Sequence, residues 1–297
     1  MRKTAIIAVV SCFGLIVAGD LMAYRPPPAT PAPPPSASNV YHLFLHGRSG
    51  DNHCRPLNSV NDGQTDYKNY WGGTVTGLSN VRYVGFDGTR NGGAYSWSSC
   101  GAQSQLHAAL NTFCRGSNRC KLYTHSTGGL VAAYYFYASG SSGLNLLDVR
   151  LMANASGGSE LADISTTYLG WLGFDTLGGE LDESVSTGGA RSWNHNNTGG
   201  LTFDTTSGEA SDYWGVTSPF LPGEDDGVLA NHTLCGINKV ASIDRSCPIG
   251  SGSLSESYRC GFLWLSTCHR TYYRWSGYFT VLMRSSDTHG DAKKHYR

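Results

Sequence analysis

The sequence predicts an α/β domain built on a mainly parallel sheet. Between residues 40 and 154, short stretches of strand character alternate with helical segments, which is the order that parallel sheets require. The chain has 297 residues, enough for one large domain with a substantial core. Its 22 basic and 22 acidic residues balance, and charged residues make up only 15%. Because the sequence has no basic stripe, nucleic acid is not an expected partner.

The N-terminal stretch is expected to lie outside this domain. Arg2 and Lys3 precede an apolar run over 5–18, a pattern that predicts a secretory signal peptide over 1–23, cleaved near Ala23. A membrane anchor is the alternative interpretation, but the apolar run is short for a bilayer span.

A stiff linker is expected over residues 24–39, because this stretch holds seven of the 11 prolines. The folded domain then covers residues 40–297. A signal peptide implies export, so we expect the protein to be secreted, periplasmic or extracellular.

Four stretches have the apolar character of sheet strands: 40–47, 80–87, 148–154 and 277–282. Residues 102–113 predict an amphipathic helix, and its apolar face is formed by Leu106, Ala109, Leu110 and Phe113.

The most informative stretch places Ser126 on a tight turn between a strand over 121–125 and a helix over 127–138. A serine in such a turn is held in a strained backbone conformation, with its hydroxyl directed away from the sheet. Thr124 and Gly128, two residues before and after the serine, are small, as this turn requires. The helix N terminus favours negative charge at the same point, so Ser126 is a candidate nucleophile for attack on a carbonyl.

Two later stretches offer candidate partners for this serine. Asp225 and Asp226 precede Gly227 in a loop, which by itself indicates only a turn. His289 lies in a loop shortly after the strand over 277–282, and a histidine in that place is a candidate general base.

In the order Ser126, Asp226 and His289, these residues resemble the catalytic triad of the α/β-hydrolase family. The sequence is most similar to the secreted bacterial lipases and esterases of that family. The resemblance implies that Ser126 is the nucleophile, His289 the base and Asp226 the acid. Asp225 is the reserve candidate for the acid. Two features depart from the family pattern: Thr124 stands where glycine is usual, and 63 residues separate the acid from the base.

The pair His46-Gly47, at the end of the first strand, matches the oxyanion loop of the family. By this resemblance, the backbone N–H groups of Arg48 and Thr127 would bind the oxyanion. His125 directly precedes the serine, and we expect it to pack beside the site without acting as the base.

Residues 157–222 differ from the rest of the chain, since they are rich in Gly, Ser, Thr and Trp and have weak periodicity. A long insertion in a compact domain is usually functional, and the resemblance implies a cap at this place. Four aromatic side chains either line an acyl pocket or fill a small cap core: Trp171, Phe174, Trp193 and Trp214.

Eight cysteines remain after the signal peptide, an even number that predicts disulfides in an exported chain. They are Cys54, Cys100, Cys114, Cys120, Cys235, Cys247, Cys260 and Cys268. The expected pairings are Cys54–Cys100, Cys114–Cys120 and two bridges within a disulfide-rich insertion over 235–268. No Cys-x-x-Cys pair is present, so a zinc or redox site is not predicted.

The resemblance implies an enzyme that hydrolyses carboxylic esters of lipids or of other acyl compounds, with a lipid interface as one setting for the substrate. Acyl transfer, amide cleavage and polyester cleavage on the same fold remain open, as does a non-catalytic module that binds glycans at a surface. No cofactor is expected. Asp287 and Asp291 flank His289, where some secreted lipases hold calcium, but two carboxylates are too few ligands to predict such a site.

Overall fold

A computed structural model describes the backbone of nine ranges: 40–48, 69–168, 179–193, 197–211, 215–221, 224–235, 253–260, 265–273 and 279–297. The strands within these ranges are β1 (Val40–Leu45), β2 (Val81–Val84), β3 (Arg119–His125), β4 (Leu146–Met152), β5 (Phe203–Gly208), β6 (Ser253–Cys260), β7 (Ser266–Tyr273) and β8 (Phe279–Ser285). The helices are α1 (Ala102–Phe113), α2 (Thr127–Ser139), α3 (Glu160–Tyr168), α4 (Glu180–Val185) and α5 (Thr187–Ala190). In these ranges no helix is long and apolar enough to span a bilayer.

Six strands form one sheet in the order β2-β1-β3-β4-β5-β8, and every neighbouring pair is parallel. β6 and β7 form a separate antiparallel hairpin within and just beyond the expected disulfide-rich insertion. The predicted α/β class is therefore confirmed. The five strands and two helices that the sequence predicts in this sheet layer are found, with ends shifted by at most three residues.

The core lies on both faces of the sheet because strand side chains alternate between the two faces. Leu43 and Leu45 of β1 pack into the cluster that contains α1 and α2, whereas Phe44 packs on the opposite face against Trp71 and Tyr296. Helix α2 is apolar on nearly all sides, as expected for a helix enclosed between a sheet and its neighbours. This burial holds the N terminus of α2 in a fixed position at the edge of the sheet.

The disulfide between Cys114 and Cys120 is present, with a Cα–Cα distance of 5.2 Å. It joins the end of α1 to β3, as predicted. Cys100 and Cys268 are also disulfide-bonded. The other four cysteines, Cys54, Cys235, Cys247 and Cys260, have side chains outside the described residues, so the remaining pairings stay predictions.

The insertion expected over 157–222 needs correction, because β5 lies inside this range and pairs with both β4 and β8 in the main sheet. Its sequence, Phe203-Asp-Thr-Thr-Ser-Gly208, carries a single apolar residue and so gives no apolar alternation. Of the four aromatic residues expected there, Trp171, Phe174 and Trp214 lie outside the described residues. Trp193 packs on Tyr134 and Tyr137 of α2, with ring centroids 5.6 and 5.2 Å apart, and thus belongs to the core.

Candidate active site

Ser126 forms the whole turn between β3 and α2. Its backbone has φ 56° and ψ −126°, a conformation that a residue with a side chain rarely adopts. The Ser126 N–H donates to the Met152 carbonyl (3.0 Å), which fixes the turn to the end of β4. The sequence therefore predicted both the place of this turn and its strain.

Two glycines allow the β1 loop and the serine turn to approach each other closely. A Cβ atom at Gly128 would lie 2.5 Å from the carbonyl oxygen of His46. A Cβ atom at Gly47 would lie 2.7 Å from the Cβ of Ser126. The first distance is too short for a carbon and an oxygen atom in contact, and the second is too short for two carbon atoms. Neither position therefore accepts a side chain without movement of its surroundings.

Arg48 and Thr127 both line the cavity at Ser126. Thr127 is the first residue of α2, so its N–H has no partner within the helix and lies at the positive end of the helix dipole. The Arg48 side chain donates from Nε to the Asp182 carboxylate (3.0 Å), and this ion pair ties the loop after β1 to α4.

His289 and Asp226, 63 residues apart in sequence, meet in the fold. Nδ1 of His289 lies 2.8 Å from Oδ2 of Asp226, and both residues are buried. The other carboxylate oxygen of Asp226 accepts the N–H groups of Val228 and Leu229 (3.0 and 2.7 Å). The carboxylate is thus held from one side by its own loop and holds the imidazole on the other.

Asp225, the reserve acid, directs its carboxylate elsewhere. It accepts hydrogen bonds from the Gly227 N–H (2.9 Å) and the Ser218 hydroxyl (3.0 Å), and burial raises its pKa. These contacts stabilise the turn that presents Asp226.

The two other histidines singled out in the sequence have defined surroundings. His46 stacks on Phe86 with ring centroids 4.4 Å apart and accepts its N–H at Nε2 (3.1 Å), so its ring supports the end of β1. His125 is buried with its ring centroid 4.8 Å from that of His289. Nδ1 of His125 lies 2.5 Å from the hydroxyl of Tyr70, a residue that the sequence did not single out.

A cavity of about 340 Å³ opens at Ser126 and His289. This volume lies in the range typical of small-molecule sites. The lining of the cavity includes six apolar residues: Ala155, Leu161, Ala162, Val185, Val228 and Leu229. The cavity can therefore accept an apolar group beside a serine hydroxyl.

A buried ionic cluster, which sequence reasoning missed, includes Glu160, the residue directly before the lining residue Leu161. Glu160 binds Arg191 (Oε1 to Nη2, 3.1 Å) and His232 (Oε1 to Nε2, 2.9 Å). Arg191 also donates from Nε to the Gly157 carbonyl (2.7 Å). Burial alone would raise the pKa of Glu160, but the hydrogen bonds and charges of His232 and Arg191 lower it to about 2. The cluster joins the start of α3 to the loop that carries Asp226.

Asp287, one of the two acidic residues that flank His289, is already engaged by basic side chains. The Asp287 carboxylate is paired with His295 (2.5 Å) and Lys294, so its charge is already compensated. These partners lower the pKa of Asp287 to about 2 although its partial burial acts in the opposite direction. Among the residues with described side chains, no group of three His, Cys, Asp or Glu residues could hold a metal ion.

The parallel sheet, the strained serine between a strand and a helix, and the loop after β1 at the same edge are the architecture of the α/β-hydrolase fold. The fold expected from the resemblance is therefore confirmed.

Comparisons with known proteins find similarity in solved structures, at low sequence identity. No family model matches the chain, and no match is found among curated proteins. Phospholipase PlaB from Legionella pneumophila aligns with 82% of the chain at 16% identity and a TM-score of 0.41. The structure of PlaB in complex with thio-NAD also aligns with 82% of the chain, at 17% identity and a TM-score of 0.43. The metagenomic carboxyl esterase MGS0156 aligns with 70% of the chain at 15% identity and a TM-score of 0.42. The chain spans 52% and 51% of the two PlaB structures and 64% of the esterase.

Proposed function

We propose that this protein is a serine hydrolase that cleaves carboxylic esters through an acyl-enzyme. Ser126 is the nucleophile, His289 the general base and Asp226 the acid that orients the imidazole. The observation that carries the proposal is one cavity lined by a strained serine and by a histidine whose Nδ1 is bound to a buried carboxylate.

In the proposed reaction, Nε2 of His289 takes the proton of the Ser126 hydroxyl as Oγ attacks the ester carbonyl. The carbonyl oxygen gains negative charge, and the backbone N–H groups of Arg48 and Thr127 stabilise it. His289 then gives its proton to the departing alkoxide, and the acyl group remains on Ser126. Water, deprotonated by His289, attacks the acyl-enzyme and releases the carboxylic acid.

Asp226 supports both steps in this proposal. His289 becomes positively charged each time it takes a proton, and the carboxylate 2.8 Å away stabilises that charge. The N–H groups of Val228 and Leu229 hold the carboxylate in place by hydrogen bonds.

The apolar residues in the lining of the cavity favour an acyl group as the part of the substrate that binds there. Leu161, Val185, Val228 and Leu229 offer no charged partner, so a hydrocarbon chain gains from burial there. Lipid esters and small acyl esters both meet this requirement.

We also propose that the protein acts outside the cytoplasm. The predicted signal peptide over 1–23 supports export, and the disulfide between Cys114 and Cys120 is of the kind that persists in oxidising compartments.

The test compares wild type, Ser126→Ala and the control Ser104→Ala on a series of p-nitrophenyl esters. Ser104 lies on α1, and its hydroxyl binds the Trp97 carbonyl outside the cavity. We expect Ser126→Ala to lose about 10⁴-fold or more in kcat, because the nucleophile is removed, while Ser104→Ala retains wild-type activity.

Covalent labelling gives a second measurement in the same experiment. A fluorophosphonate is expected to modify wild type and Ser104→Ala but not Ser126→Ala. Labelling or ester cleavage that persists in folded Ser126→Ala would contradict the proposal.

A further inference from the structure

A chain of hydrogen bonds runs along the lining of the cavity, from the loop after β1 to the main chain of His289. The hydroxyl oxygen of Tyr70 lies against Gly47, and a hydrogen bond with the Gly47 backbone offsets part of the rise in the Tyr70 pKa that burial causes. That hydroxyl lies 2.5 Å from Nδ1 of His125, and Nε2 of His125 lies 2.8 Å from the carbonyl oxygen of His289. Two side chains therefore connect the loop expected to bind the oxyanion with the segment that carries the general base.

The two ends of this chain fix where each proton lies. The His289 carbonyl can only accept, so Nε2 of His125 carries a proton and donates it. Burial, and then the neighbouring charges of His289 and Lys293, lower the pKa of His125 well below its ordinary value. The ring is thus neutral, Nδ1 accepts, and the Tyr70 hydroxyl donates to it. The Tyr70 oxygen in turn can accept a hydrogen bond from the Gly47 backbone.

Packing around Tyr70 leaves the phenol little room to move. A Cβ atom at Gly47 would lie 2.6 Å from the Tyr70 hydroxyl, so the loop rests directly on this oxygen. The ring meets Trp71 edge-on at 5.6 Å. Nζ of Lys293 binds the Tyr70 carbonyl (2.8 Å) and lies 4.6 Å from the ring centroid. A shift of the phenol would therefore shift the loop that carries Arg48.

We propose that Tyr70 and His125 are positioning residues, which hold the Arg48 N–H and the imidazole of His289 in register with Ser126. This inference rests on the proposed function. Small displacements of groups that act together in a reaction reduce its rate strongly, by as much as about 100-fold for 1 Å.

The test is Tyr70→Phe, which removes one hydroxyl and leaves the ring in place. Tyr135→Phe is a matched control, because the Tyr135 hydroxyl also binds a histidine, Nδ1 of His107 at 2.9 Å, but between α1 and α2 and outside the cavity. We expect Tyr70→Phe to lower kcat about tenfold with KM changed by less than about twofold, the effect of one lost hydrogen bond that acts in the transition state. Tyr135→Phe should leave both constants unchanged.

Nitrogen-15 NMR of the histidine rings tests the chain without reference to activity. In wild type, His125 should be neutral with its proton on Nε2, and Tyr70→Phe should shift the Nδ1 resonance while Tyr135→Phe does not. A proton on Nδ1 in wild type overturns the inference, even if Tyr70→Phe does not fold.

The kinetic outcomes separate this inference from the proposed function. A wild-type protein that cleaves no ester and takes up no fluorophosphonate overturns both. An active wild type with the same kcat in Tyr70→Phe, or with equal losses in Tyr70→Phe and Tyr135→Phe, overturns the positioning role alone.

Discussion

The cavity lies between two walls that are held together in different ways. The elbow wall consists of residues 45–48 and 124–130, and here chain segments approach so closely that side chains are excluded. The cap wall consists of residues 157–160, Arg191 and residues 224–235, and its segments are joined through charged side chains that are almost fully buried.

Because of this difference, the two walls should respond differently to acid and to added side-chain volume. The contact between Gly128 and the His46 carbonyl involves no titratable group, so acid leaves it unchanged. The contacts of Glu160 with Arg191 and His232 depend on a charge and weaken when that charge is neutralised. Acid should therefore weaken the contacts of Glu160 and leave the contact between Gly128 and the His46 carbonyl unchanged, whereas added bulk should damage the elbow wall first.

The largest effect is expected within the cap wall, where two adjacent carboxylates have different contacts. Asp226→Asn should lower kcat on a p-nitrophenyl ester by about 10⁴-fold, because an amide cannot hold the His289 imidazole in the tautomer that the reaction requires. Asp225→Asn should lose less than about tenfold, since that carboxylate accepts from the Gly227 N–H and the Ser218 hydroxyl. Equal losses in the two variants would contradict the assignment of Asp226.

The next effect concerns stability. Glu160→Gln replaces the buried carboxylate that binds Arg191 and His232 with a neutral amide, so both contacts lose the charge of Glu160. We expect a loss of about 3–5 kcal/mol in the free energy of unfolding at pH 7, measured by urea denaturation. Glu183→Gln is the control, because Glu183 is an exposed acid on α4, and its change should stay within about 0.5 kcal/mol.

The same two variants test the sign of the pH effect. The pKa of Glu160 is about 2 in the folded protein against an ordinary value of 4.5, so the unfolded chain binds the proton first as the pH falls. The stabilisation is complete above about pH 5 and is lost towards pH 2, by roughly 3 kcal/mol. Wild type and Glu183→Gln should show this slope, and Glu160→Gln should be flatter by that amount. Parallel curves for all three proteins would assign the slope to other groups.

The elbow wall could be predicted from sequence because its signal is local. Ser126 and the small residues at 124 and 128 lie within five positions of one another, and α2 begins where the apolar helix pattern begins. Asp226 and His289 were expected from their places in two loops and from the order of the triad in the resembling family. Their contact is a tertiary one that no local pattern specifies.

The cap wall and β5 could not be predicted for the same physical reason. Glu160 and His232 are 72 residues apart, and neither lies in a motif that points to the other. Thr205 and Thr206 of β5 are buried without apolar alternation, and their strand forms because β4 and β8 offer backbone partners on both sides. Tyr70 likewise gains its role from where the fold places its hydroxyl.

The smallest expected effect tests whether exclusion of side chains is what holds the elbow wall. Gly128 lies in the first turn of α2, where alanine has the better helix propensity by about 1 kcal/mol. A Cβ atom there would lie 2.5 Å from the His46 carbonyl oxygen and 2.9 Å from that of Leu45. The two oxygens belong to the backbone at the end of β1 and of the residue after it, and they cannot move aside as a side chain would. Overpacking should therefore outweigh propensity, and Gly128→Ala should lose about 1–3 kcal/mol in the free energy of unfolding.

Gly73→Ala is the matched control for this last variant, because a Cβ atom at Gly73 would have no atom within 4 Å. It should be neutral or more stable by up to about 1 kcal/mol, since alanine restricts the unfolded chain. The loss in Gly128→Ala should be the same at pH 7 and pH 5, because the colliding groups carry no charge. A Gly128→Ala protein as stable as Gly73→Ala would mean that the two walls do not differ as described, since β1 would then yield to a side chain.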